Sequence, residues 1–253
     1  MALFKSGNPV LNEKTFSGSY TYLDSDAEVM TVKGTLNKFG ILFLLTMASA
    51  GYAWKMVYSN VDVMTYMWVS IFGAFILALI ANFKKEWSAF LAPAYALLKG
   101  FAVGAISAIY DNVFAKVAPH IITTAVGLTF GVVIAMYLLY KFNIIRATPL
   151  FQKIIYTASL GIAFFYLIAI GLHFAHIDIP FLHEGSPFGI IFSLVVVSIA
   201  AMRLILNFDF IEKGADQRVP KYMEWFSAFG LLITIVWLYL EILQLLAKLS
   251  NRK

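Results

Sequence analysis

Seven stretches of consecutive, mostly apolar residues run through this chain of 253 residues, at 39–58, 63–83, 90–110, 121–140, 154–174, 187–206 and 226–246. Each has the length that an α-helix needs to cross a hydrocarbon core of roughly 30 Å, about 20 residues at 1.5 Å per residue. Inside that core every backbone N–H and C=O has to be bonded internally, which leaves helices and closed barrels. Barrel strands would read as segments of about ten residues with alternating polarity, and these runs are unbroken and about twice as long. Only 13% of the residues are charged and 61% are hydrophobic, against about 25% charged in a soluble domain. The expected fold is an all-α membrane protein of seven transmembrane helices, and a water-soluble globule is excluded.

The absence of cysteine rules out disulfides, thiolate metal sites and cysteine nucleophiles. Residues 1–38 are polar, lack the apolar stretch of a signal peptide, and read as a mobile tail ahead of the membrane domain 39–253. A net charge of +5 calls for no nucleic-acid partner, because lysines and arginines beside spans fix orientation at the anionic membrane face. With the N-terminus in the cytoplasm, twelve basic residues fall inside and four outside, three of those four being Lys248, Arg252 and Lys253 after the last span. The expected topology is N-terminus cytoplasmic and C-terminus outside, in the cell membrane.

Gly100 and Gly104 in the third span, and Gly127 and Gly131 in the fourth, have the small-xxx-small spacing that lets helix backbones approach closely. Both pairs are expected to face protein.

Ionisable groups inside the spans cost about 2.5–3.5 kcal/mol each near the bilayer centre, so each asks for a partner, water or a function. Lys99 is the deepest, and its partner has to come from another helix. Arg203 can snorkel to the cytoplasmic boundary. Asp209 and Glu212 follow at i and i+3 on one helix face, where they could bind a cation together or simply be solvated. Glu241 lies toward the outer end of the seventh span and reads either as a cation ligand facing a cavity or as an anchor beside Lys248. His120, His173, His176 and His183 all fall outside, and His173, His176 and Asp178 approach a metal-ligand spacing that no second motif completes, so interfacial histidines are the default reading and no resident metal or cofactor is expected. Acids in the outer connections, Asp62, Asp111, Asp178 and Glu184, face a single Lys116 and would draw cations to an outward mouth. No HExxH, GxSxG or phosphate loop is present, so an enzyme is not expected.

The stretches 8–16 (NPVLNEKTF), 30–37 (MTVKGTLN), 92–107 (APAYALLKGFAVGAIS), 141–149 (KFNIIRATP) and above all 207–246 resemble the YccA-like bacterial branch of the Bax inhibitor family, the transmembrane Bax-inhibitor-motif proteins. The resemblance spans nearly the whole chain. It implies a seven-helix fold whose last helix is surrounded by the other six, a pH-sensitive leak of calcium, and contact with a membrane-bound ATP-dependent protease. In calcium-leaking relatives two aspartates share a proton and close the pore. Asp209 matches the first, and the second position falls at Leu232, with Glu241 about nine residues further on. Lys99 stands where relatives often carry a glutamate.

The resulting expectation is a regulated cation leak with Asp209 as the titrating gate residue and Arg203, Lys99 and Glu241 as its candidate partners. The alternative is a non-conducting regulator that binds other membrane proteins, such as that protease, through the tail 1–38. A small-solute transporter is disfavoured because no spans are broken by Gly or Pro in corresponding halves.

Overall fold

Helix formation follows the apolar runs and then overshoots them. The computed structural model describes residues 28–59, 61–175 and 185–251. Its helices are α1 (Val32–Tyr58), α2 (Met64–Phe83), a single 3-10 turn (Lys85–Trp87), α3 (Ser88–Phe114), α4 (Ile121–Lys141), α5 (Pro149–Phe174), α6 (Pro187–Asp216) and α7 (Met223–Ser250). All seven α-helices are long and apolar enough to cross a membrane, and the chain is an all-α, seven-span membrane protein.

The start of α1 corrects the expected tail. Thr31 sits in extended conformation and caps the helix, its side chain accepting from the Gly34 N–H, so α1 begins at Val32 instead of 39. Val29 forms an antiparallel bridge with Pro220, and Met30 is 1% exposed. Residues 28–38 are therefore part of the folded domain, while 1–27 lie outside the described residues. Likewise α3 begins at Ser88, ahead of the apolar run at 90, with Pro93 inside the helix.

Two compact units divide the chain, one made of 28–108 and 207–233, the other of 109–206 and 234–251 among the described residues. In the first unit α1 lies against α3: a Cβ on Gly100 would stand 2.8 Å from Thr46 Cα, and one on Gly104 would stand 2.5 Å from Ala50 Cα. The two glycines thus let the backbones meet, and Ser49 Oγ donates to the Leu97 carbonyl at 2.6 Å across the same seam. Tyr95 of α3 meets Phe229 of α7 edge to face at 4.8 Å, and Phe210 of α6 meets Phe226 of α7. In the second unit Phe165 of α5 packs edge to face on Phe192 of α6.

The fourth-span glycines behave differently. A Cβ on Gly127 or Gly131 would meet nothing within 4 Å, so this pair makes no close approach to the described residues. Spacing alone does not say which face of a helix meets protein. Burial sorts the helices: 56% of the most apolar stretch of α7 is buried against 11% for that of α5. A helix so enclosed can carry ionisable groups that lipid would not tolerate, and α7 carries Glu224, Glu241 and Lys248, all buried.

Candidate functional site

In the first unit, Glu224 lies in the first turn of α7, where the helix dipole favours an acid. Only 1% of Glu224 is exposed. Its Oε1 accepts the Thr31 N–H and the Thr31 hydroxyl, both at 2.9 Å, and its Oε2 is ion-paired with Lys38. The Lys38 ammonium also lies over the Trp225 ring at 5.6 Å. A side chain on Gly34 would collide with the carboxylate, so glycine there leaves Glu224 the room to reach Thr31. Around this centre the Met30 N–H donates to the Val219 carbonyl at 2.8 Å and Lys221 pairs with Glu28 at 2.8 Å. Residues 28–38 form a strap tied to the connection between α6 and α7.

Asp209 and Lys213, one turn apart on α6, make an ion pair of 2.7 Å, with Asp209 16% and Lys213 52% exposed. Glu212 is exposed. The position expected to hold a second acid, Leu232, is fully buried and apolar. Lys99 of α3, one residue before the glycine that touches α1, has no hydrogen-bond or ion-pair partner among the described residues. The expectation that another helix supplies one is not met there.

In the second unit, Glu241 of α7 is 5% exposed. Tyr166 of α5 donates its hydroxyl to both carboxylate oxygens at 2.9 and 3.0 Å, and Trp237 donates its indole N–H at 2.9 Å. Trp237 precedes Glu241 by four residues and so shares its helix face. Lys248 does not close on Glu241: its ammonium donates to the Ser193 hydroxyl at 2.8 Å and the Gly189 carbonyl at 3.2 Å, both on α6. This removes the anchor reading of Glu241 in favour of a buried carboxylate held by neutral donors. Arg203 lies over the Tyr156 ring at 5.6 Å and reaches no carboxylate among the described residues. A cavity of about 240 Å³ opens between the last turns of α3 and α7, lined by Tyr110, Gln244, Lys248 and Asn251 among others.

The ionisable candidates fall in different units. Asp209, Glu212 and Lys99 belong to the first unit, whereas Arg203 and Glu241 belong to the second. His120 precedes α4 in the left-handed conformation, at φ 74°. His176, Asp178, His183, Glu184 and the side chain of His173 lie outside the described residues. Among the described residues no group of three or more His, Asp or Glu stands where it could hold a metal ion.

Sequence reasoning missed Glu224, Thr31, Tyr166 and Ser193. A signal existed for Glu224, an acid just inside a helix start after Pro220. For Thr31, Tyr166 and Ser193 none existed, because each meets its partner only through the tertiary fold.

The sequence model of the Bax inhibitor 1 like family matches residues 8–251. No functionally curated protein and no solved structure matches the chain.

Proposed function

The chain belongs to the Bax inhibitor 1 like family, and from that premise we propose that it is a cell-membrane protein that leaks cations, calcium among them, under the control of protonation. The observation that carries this reading is Glu241, a carboxylate 5% exposed in a membrane-crossing helix with no cation within ion-pair distance among the described residues. A carboxylate so placed is costly unless it holds a proton or a cation. Exchanging one for the other is the elementary step of a proton-regulated cation pathway. Asp209, at the family's first aspartate position, serves as the gate residue, with Lys213 taking the place of the missing second acid. Acidification neutralises Asp209 and releases Lys213.

The excess of basic residues on one side supports a cytoplasmic N-terminus and strap, with the end of α7 outside. The test is reconstitution into vesicles that contain a calcium dye, at several pH values. Calcium entry above that of empty vesicles, changing with pH and lowered severalfold by Glu241→Gln, is expected. No entry at any pH, with folded protein confirmed, would remove the reading.

A second reading, a regulator that grips a membrane-bound ATP-dependent protease, draws support from the strap. Its fixed end at Glu28 gives the preceding residues an anchored point of departure. Deleting 1–27 should abolish capture of the purified protease and spare calcium entry. A longer deletion to 38 would remove Thr31 and Lys38 and unseat Glu224 instead.

A further inference from the structure

The geometry points to a binding site for a phosphate oxyanion in the cavity between the last turns of α3 and α7, with Lys248 as its cationic ligand. Lys248 is 1% exposed, and a buried ammonium demands an anion or a full set of acceptors. Its two described acceptors, the Ser193 hydroxyl and the Gly189 carbonyl, are both neutral. An ammonium has three donors, so one N–H is left without an acceptor among the described residues. Among the described residues no carboxylate lies within ion-pair distance. Glu241, seven residues earlier and so about 10 Å along the axis, acts on it only at long range and is itself held by Tyr166 and Trp237.

The cavity beside Lys248 has the composition that a headgroup would need. Tyr110, Gln244 and Asn251 bring hydroxyl and amide groups, and Val113 and Phe114 bring an apolar wall. At about 240 Å³ it far exceeds the roughly 10–15 Å³ that one water requires. It lies where two helices long and apolar enough to cross a membrane come to their ends. The positive charge, the spare donor and the mixed polar and apolar lining together suit a phosphate carried on an acyl-chain lipid. A free phosphate ion would use the same donors and leave the apolar wall unused.

The experiment is thermal unfolding of the purified full chain in neutral detergent, with three additions tested separately: phosphatidylglycerol, phosphatidylcholine and inorganic phosphate. Stabilisation by phosphatidylglycerol well beyond phosphatidylcholine is expected if the lipid is the source, and stabilisation by inorganic phosphate alone if the free ion is. Lys248→Met should weaken the effective anion affinity by about tenfold or more, the size of a charge-assisted hydrogen bond. Gln244→Leu, which leaves the Lys248 contacts in place, should weaken it by a smaller factor and serves if the lysine variant does not fold. Equal stabilisation by all three additions, or an anion effect that survives in both variants, would overturn the assignment. The readout is binding and not flux, so it stands apart from the leak assay.

Discussion

Thr31 and Glu224, 193 residues apart, are joined by two hydrogen bonds of 2.9 Å that converge on one carboxylate oxygen. Thr31 simultaneously caps α1 by accepting from Gly34 at 2.9 Å. One residue thus starts the first span and ties it to the first turn of the last, and Lys38 neutralises the acid that both depend on.

Removing the acid should therefore cost more than removing a cap. Glu224→Ala leaves Lys38 and the Thr31 N–H without their acceptor, for an expected loss of about 2–4 kcal/mol. Thr31→Val keeps the N–H bond but loses the hydroxyl and the cap, for about 1–3 kcal/mol. Reversible unfolding in detergent ranks the two variants, and the opposite order would contradict the network.

Glycines at equal spacing should respond in opposite ways. Alanine at Gly100 or Gly104 drives a methyl into the backbone of Thr46 or Ala50, and overpacking of this kind costs about 1–3 kcal/mol. Alanine at Gly127 or Gly131 meets open space and should be neutral, or stabilising by up to about 1 kcal/mol through helix propensity. Four single variants compared by thermal midpoint decide this.

Lys99 pays a burial cost without a described partner, so an apolar side chain of similar length should be better tolerated. Lys99→Met is expected to raise the thermal midpoint, reflecting a stabilisation of up to about 3 kcal/mol on the insertion scale. In the leak assay it should also raise calcium entry, because a cation opposes passage of another cation. A lower midpoint would mean that the ammonium serves the fold.

The outer tie of the strap should ignore pH across the neutral range. The hydrogen bond that the exposed Lys221 ammonium donates to Glu28 holds its pKa above the ordinary value of 10.5. A raised lysine contributes fully below its unfolded pKa and is lost only as pH climbs through the folded one. Emission from Trp225, four residues on, should thus stay constant from about pH 6 to pH 9, a range below that ordinary value of 10.5.

Helix number and class were legible in the amino-acid order because membrane insertion depends on apolarity averaged over about 20 residues, a property no neighbour can alter. Helix ends were less so: α1 starts at Val32 because Thr31 is held by Glu224, a partner no local window contains. The Trp237 and Glu241 pairing was implicit in their four-residue spacing, yet whether that face met lipid, water or Tyr166 depended on the packing of α5. The same holds for the two glycine pairs, identical as patterns and opposite in surroundings. Lys248 turns to Ser193 rather than Glu241 because α6 brings neutral acceptors within 3.2 Å. Periodicity assigns a residue to a helix, and only the neighbouring helices determine what its charge must answer to, since each buried polar group is satisfied or stranded by atoms distant in sequence.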